Sequence, residues 1–222
     1  MSTAANARMA RSVDWIALER ASPLLAALPE PVRRAARLEE LSKSARLFSR
    51  GDRPRAMYFV ISGEVRLVRR SLTGSQIVLQ RAQGGFLAEA SLDQATYHCD
   101  AVAVRPSELL ILSRKAFLDA LADEGFRSSW LAHLASELRR VRAQAERMSL
   151  KTAPDRIIHY IEMEGDNGSM VLQRSRKDWA EELGLTHEAL YRALARMERS
   201  GRISIDGAIL SIRPDQRQNQ RN

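Results

Sequence analysis

Residues Arg174–Met197, RSRKDWAEELGLTHEALYRALARM, decide how the rest of the chain is read. Ser175 followed three residues later by Asp178 is a capping-box spacing, in which a hydroxyl and a carboxylate satisfy backbone amides that a helix start leaves unpaired. A helix is therefore expected from about Arg176, with Trp179, Ala180 and Leu183 on one face. Gly184 can take the left-handed conformation that ends a helix, Leu185 fills the turn, and Thr186 can cap a second helix. That second helix, about 187–199, places Leu190, Leu194 and Met197 on a buried face at helical spacing.

The opposite face carries His187, Glu188, Tyr191 and Arg192, and a turn further Arg196. Polar groups at the N-terminal end of a recognition helix are those that reach base edges in the major groove. Arginine can donate a bidentate pair to guanine, and glutamate can accept from the cytosine amino group. Glu188 and Arg192 are also four apart, the spacing of an ordinary surface ion pair, and taken alone that reading would win. The residues downstream shift the balance. In RISIDGAILSI, Ile203, Ile205 and Ile209 around Asp206-Gly207 describe two short strands joined by a tight turn, a wing. The segment is also basic. Arg174, Ser175, Arg176, Lys177, Thr186, Arg196 and Arg202 are candidates for phosphate contacts, which supply much of the affinity for DNA. Motif, wing and charge together point to double-stranded DNA as the partner.

The run THEALYRALARMERSGRISIDGAILSI is similar to the C-terminal domain of the Crp/Fnr superfamily of bacterial transcription regulators, including an E-x-x-x-R spacing met by Glu188 and Arg192. The resemblance implies that these two residues read base pairs in each half of an inverted repeat, and that RNA polymerase is a further partner. His187 and Tyr191 stand where members vary.

Length and charge agree with this reading without carrying it. The 222 residues hold one large or two modest domains, and a net charge of +8, from 35 basic and 27 acidic residues, suits a polyanion as well as a solvated surface. The single cysteine, Cys99, leaves no internal disulfide and implies a reducing compartment. No apolar run is long enough to cross a bilayer and the N-terminus lacks a secretory core, so a cytoplasmic protein without membrane contact is expected.

Upstream, 13–41 reads as short helices broken by prolines, with Ile16, Leu18, Leu24, Leu25 and Leu28 as apolar contacts. From Ala45 to Leu112 the texture is short strands and turns, including a turn at Thr73-Gly74, which suggests an antiparallel sandwich or barrel. This block resembles the cyclic-nucleotide-binding domain of the same superfamily, a double-stranded β-helix of jelly-roll type. The expected architecture is thus α+β. It comprises an N-terminal segment at 1–22, a β-barrel sensor domain at 23–123, a long dimerisation helix at 124–150, a winged helix-turn-helix at 151–213, and a disordered tail at 214–222.

In members that bind cyclic AMP, the resemblance assigns the ribose to a glutamate and the cyclic phosphate to an arginine about ten residues later. In FLAEASLDQATYHCDAVAV, Glu89 matches the glutamate, Ala88 replaces the preceding glycine, and Cys99-Asp100 stands in place of Arg-Ser. Losing a cation and adding a carboxylate beside a phosphate is unfavourable, which argues against cyclic AMP. Glu89, Cys99 and Asp100 remain the candidate effector-pocket residues, with Glu89 alternatively a structural carboxylate. Cys99 is a redox thiol only if its pKa is depressed, and otherwise buried packing. No cysteine cluster exists for an iron–sulfur centre, and His98, His133, His159 and His187 lack ligand spacing, which leaves haem open but unsupported. No metal site is expected.

Beyond a short helix in RKAFLDALADEGF and a break at Gly125, Leu131, Leu134, Leu138, Val141, Ala145 and Met148 alternate by three and four along a helix from about Arg127 to Met148. Such a seam suits a two-stranded coiled coil and a homodimer, or alternatively packing on the β-domain. Lys151-Thr-Ala-Pro reads as a hinge, DRIIHYIEME as a helix starting near Asp155, Asp166-Asn-Gly168 as a turn and MVLQ as a strand. Two rival functions remain open. One is a small-molecule or redox sensor whose basic C-terminal domain engages a protein rather than DNA. The other is an enzyme of the cupin type, which would need clustered histidines where the β-region holds only His98.

Overall fold

The computed structural model describes residues 12–70 and 76–213. The expected tail at 214–222, the start of the N-terminal segment and the Thr73-Gly74 turn lie outside the described residues. The chain divides into two compact units, residues 1–133 and 134–222, with the boundary inside the long helix rather than at the Lys151–Pro154 hinge.

In the first unit, three short helices, α1 (Trp15–Ala21), α2 (Pro23–Ala26) and α3 (Glu30–Arg34), bury Leu18, Leu24, Leu25, Leu28 and Val32. Asp14 caps α1 by accepting from the Ala17 amide, and prolines open α2 and α3, where a missing N–H costs nothing. Ile16, expected as a packing residue, is instead exposed.

Eight strands follow: β1 (Arg37–Leu41), β2 (Arg46–Phe48), β3 (Ala56–Ser62), β4 (Val65–Arg70), β5 (Gln76–Ala82), β6 (Gly85–Leu87), β7 (Asp100–Ala103) and β8 (Ser107–Ser113). They form two four-stranded antiparallel sheets ordered β1-β8-β3-β6 and β2-β7-β4-β5, and the alternation of strands between sheets is the jelly roll anticipated from the block of short strands. Strand β1 corrects the helical reading of 13–41. RLEEL has only two apolar residues, and it is a strand because Arg37–Leu41 pairs with Ile111–Ser107 of the strongly apolar β8. Phe48, Tyr58, Val60, Val65, Leu67, Leu87, Tyr97, Cys99, Ala101, Leu109 and Ile111 fill the space between the sheets. Phe48 and Tyr97 stack face to face, with Tyr58 tilted against Phe48.

At the β3–β4 turn Glu64 is almost wholly buried, yet it accepts from Gln83 at 2.7 Å, from Arg105 at 2.6 Å and from Arg66. Burial pushes its carboxyl up, but the hydrogen bonds from Arg105, Arg66 and Gln83 outweigh that and hold it below the usual carboxylate range. A buried carboxylate satisfied by three donors is a structural element of the barrel.

After α4 (Arg114–Ala120), helix α5 runs unbroken from Glu124 to Ser149. The break expected at Gly125 is absent because Asp123 accepts from the Phe126 amide at 2.7 Å and starts the helix there, leaving Gly125 in its first turn. In the second unit, α6 (Ala153–Glu164) begins two residues before Asp155. Thr152 accepts from the Asp155 amide and donates to its carboxylate, and Pro154 occupies the first turn. Arg147 of α5, off the expected seam, is buried with its guanidinium 4.4 Å from the Tyr160 ring and 3.7 Å from Glu164. Strand β9 (Ser169–Val171), α7 (Arg176–Glu182), α8 (His187–Arg199), β10 (Ile203–Asp206) and β11 (Ile209–Ile212) complete the unit. Among the described residues no helix is long and apolar enough to cross a membrane.

Candidate nucleic-acid interface and sensor site

The helix pair formed by α7 and α8 is built by the signals read from its sequence. Ser175 accepts from the Asp178 amide at 3.1 Å and donates to its carboxylate at 2.7 Å, and Thr186 accepts from the Ala189 amide at 3.1 Å. Both candidate phosphate-binding hydroxyls are therefore engaged in caps, though both residues remain exposed. Gly184 has φ +63°, and the turn closes through Leu185 N–H to Ala180 C=O at 2.9 Å and Gly184 N–H to Glu181 C=O at 3.2 Å. A side chain that sequence reasoning missed, Arg156 of α6, holds this turn. Its guanidinium donates to the carbonyls of Leu183 at 3.1 Å and Gly184 at 3.2 Å, and to Leu150 at 2.9 Å. Nothing in the spacing around Arg156 distinguishes it from a solvated helix arginine.

Leu190, Ala193, Leu194 and Met197 bury one face of α8 against Ile157, Tyr160, Ile161, Trp179, Leu183, Ile203 and Leu210. The other face presents His187, Glu188, Tyr191, Arg192 and Arg196, all exposed. Glu188 and Arg192 have no ion pair or hydrogen bond to each other or to any other side chain among the described residues, so the surface ion pair that their spacing allows is not realised. Tyr191 lies 4.5 Å from the His187 ring, and the Arg176 guanidinium sits 5.2 Å from its centroid. Lys177 and Arg202 are exposed. Arg174 is less free than its charge suggested, because it is ion-paired with Glu182. The wing is a three-stranded sheet, β10-β11-β9, since Ser169–Val171 pairs with Ser211–Ile209. Its tip lies one residue beyond expectation: Asp206 pairs with Ile209, leaving Gly207 and Ala208 as the turn.

Along α5, Leu131, Leu138, Val141 and Met148 are exposed, as is Ala145, and Leu134 is half-buried. Leu131 and Val141 are 59% and 60% open to solvent, which is uncommon for apolar side chains on a helix that already packs within its own chain.

In the first unit the three candidate pocket residues each have partners of their own. Ala88 takes a left-handed φ of +66°, a conformation that glycine adopts at less cost, and leads into a 3-10 turn at Glu89–Ser91. Glu89 is nearly buried and its oxygens are already engaged: Oε2 accepts from Gln80 Nε2 at 3.0 Å and Oε1 lies 3.3 Å from His133 Nε2 on α5. Burial pushes this carboxyl up, but the His133, backbone and Gln80 hydrogen bonds hold it below the usual range. Gln80 also donates to the Phe86 carbonyl and accepts from the Ala88 amide, both at 3.3 Å. His133 stacks on Trp130 and tilts against Phe86. Neither Gln80 nor His133 is singled out for this site by the sequence; they are 9 and 44 residues from Glu89 along the chain. Cys99 is buried one residue before β7, and burial together with Asp100 pushes its thiol up, with Arg69 opposing. Asp100 accepts from the Arg50 amide at 2.8 Å. A buried neutral thiol and a carboxylate tied to a turn do not provide the cation that a cyclic phosphate needs.

A β-jelly roll, a long helix and a winged helix-turn-helix with an exposed polar helix face are the parts of a two-domain transcription regulator. Comparison with known proteins is consistent. The cyclic nucleotide-binding domain family matches residues 38–124. Cyclic AMP receptor protein of Thermus thermophilus is 27% identical over 175 residues, 75% of this chain and 79% of that protein. Among solved structures, DNR from Pseudomonas aeruginosa is 28% identical with a TM-score of 0.51, covering 92% of this chain and 96% of its own. FixK2 from Bradyrhizobium japonicum shares the fold at 24% identity and a TM-score of 0.58, covering 83% and 96%. These similarities support a DNA-binding regulator of the Crp/Fnr type, with a cyclic nucleotide-binding domain at residues 38–124.

Proposed function

We propose that the protein acts in the cytoplasm as a homodimer that binds an inverted-repeat operator, with one α8 helix in each half-site. The observation that carries this is the pair Glu188 and Arg192, both exposed and both without a partner among the described residues, at the start of a helix whose other face is fully buried. His187 and Tyr191 extend the base-reading face, while Arg176, Lys177, Arg196 and Arg202, with the capping hydroxyls of Ser175 and Thr186, serve the phosphates. Arg174 contributes only by leaving Glu182. The exposed apolar stripe of α5 supports pairing with a second copy, which would remove it from water. Two recognition helices then engage one duplex only when their separation matches roughly 34 Å, one turn of DNA. RNA polymerase is the further partner implied by the family.

Cyclic AMP is not the effector in this reading, because Glu89 is committed to Gln80 and His133, and Cys99 stands where a cation is needed. A signal acts instead by altering the Glu89–His133 contact, which ties the sensor loop to α5, and so the population of dimers with the matching separation.

Selection from a randomised duplex pool, followed by titration at several salt concentrations, tests the reading. The expected result is an enriched palindrome bound with a steep salt dependence. Arg192→Ala should then lose discrimination at one base pair per half-site, about 1–3 kcal/mol each. Leu138→Glu should sediment as a monomer and lose the palindrome's advantage over a single half-site. Unchanged base preference in Arg192→Ala refutes the reading face, and a full-affinity dimer of Leu138→Glu refutes the seam. Absence of any enriched duplex would favour a protein partner for the basic domain.

A further inference from the structure

Tyr191 is an aromatic residue on the polar face of α8, still 43% exposed although two side chains are set around it. His187, one turn earlier on the same helix, lies 4.5 Å from its ring, tilted by 59°. Arg176, from the first turn of α7, places its guanidinium 5.2 Å from the ring centroid. Contact with an imidazole and a cation restricts the rotamers of the tyrosine, which lowers the ordering cost when it meets a ligand. Its ring offers an apolar surface on a face whose other members, His187, Glu188, Arg192 and Arg196, are polar or charged. In the major groove the chemical counterpart of an apolar surface is the C5-methyl group of thymine. Three residues after Glu188 and one before Arg192, Tyr191 would meet a base pair in the same half-site as those two residues.

We infer that Tyr191 reads a thymine methyl in each half-site, with Arg176 as the positioning residue that holds the ring for that contact. The inference rests on the assignment of α8 as the reading helix and deepens it. It also gives Arg176 a second role besides phosphate contact. A lysine there would keep the charge but lose the planar group that stacks on the ring.

The test uses the palindromic duplex enriched from the randomised pool and replaces each thymine in turn by uracil, which removes only the methyl. For the unaltered full-length protein, one thymine per half-site should be sensitive. Its replacement should weaken binding about four-fold in one half-site and about fifteen-fold in both, the value of one buried methyl each time. Tyr191→Phe should keep this sensitivity and Tyr191→Ala should lose it, binding the thymine and uracil duplexes alike. Arg176→Lys should reduce the uracil penalty while leaving the salt dependence of binding unchanged, a split that loss of a phosphate contact would not produce. An enriched palindrome whose affinity is indifferent to uracil at every thymine overturns this inference alone. So does a Tyr191→Ala variant that retains the full penalty, or a Tyr191→Phe variant that loses it, which would make the hydroxyl the contact. Failure to enrich any duplex overturns both this inference and the reading-helix assignment.

Discussion

Replacing Glu89 by glutamine keeps the shape of the side chain and removes its charge, and it isolates the contact that joins the sensor loop to α5. The carboxylate accepts from Gln80 at 3.0 Å and meets His133 at 3.3 Å, with side chains only 10% and 20% exposed for Glu89 and His133. An amide offers one acceptor oxygen and one donor nitrogen, so in the same geometry it can accept from only one of Gln80 and His133, where the carboxylate can accept from both. A hydrogen bond to a charged group is worth about 1.5–3 kcal/mol, and the neutral amide recovers part of the desolvation that the carboxylate bears, so the net cost should be about 1–2 kcal/mol. The pH dependence follows from the sign of the shift. The folded-state pKa of Glu89 is depressed, so its stabilisation is fully present above the unfolded value of roughly 4.3 and is lost as pH falls through the folded value. Urea titrations at pH 6 and pH 3.5, read by hydrogen exchange at the amides of β3 and β8, should therefore show a gap between the two proteins at pH 6 that is smaller at pH 3.5. His133→Phe keeps a ring against Trp130 and Phe86, and combined with Glu89→Gln it should cost less than the sum of the two. A gap of equal size at both pH values, or strict additivity of the two substitutions, would refute the reasoning.

Gly184→Ala should destabilise the second unit by about 1–2 kcal/mol, because an L-residue is strained at positive φ. The added methyl would also meet Met148 Sδ at 3.0 Å and Arg156 Nη1 at 3.2 Å, so melting temperature and operator affinity should fall together. The thiol of Cys99, buried and pushed up, should resist a disulfide reagent at pH 8 until urea unfolds the barrel, and peroxide should leave operator binding unchanged. Rapid labelling of the folded protein would restore a redox role.

Much of the DNA-binding unit is legible in the sequence because its signals are local. The Ser175–Asp178 and Thr186 caps, the glycine at 184 and the Leu190, Leu194, Met197 spacing each act over three or four residues, within which sequence neighbours are neighbours in space. The heptad stripe of α5 is legible for the same reason. Strand β1 escapes a linear reading because RLEEL carries a weak pattern of its own and gains its structure from β8, some seventy residues away in the chain. Gly125 reads as a break because the cap that overrides it, Asp123, belongs to the turn before it.

The candidate sensor site shows the division most clearly. Its residue types are legible without any structure: Cys99-Asp100 itself carries no cation. Which groups meet Glu89 is decided only by the fold, which brings Gln80 from β5 and His133 from α5 to one carboxylate, and Arg156 to the turn between α7 and α8. Helix caps and apolar stripes are written in periodicity, which a linear reading recovers. Contacts between distant elements depend on how sheets and helices pack, and a lone glutamine, histidine or arginine looks the same in the sequence whether it ends in water or against a buried partner.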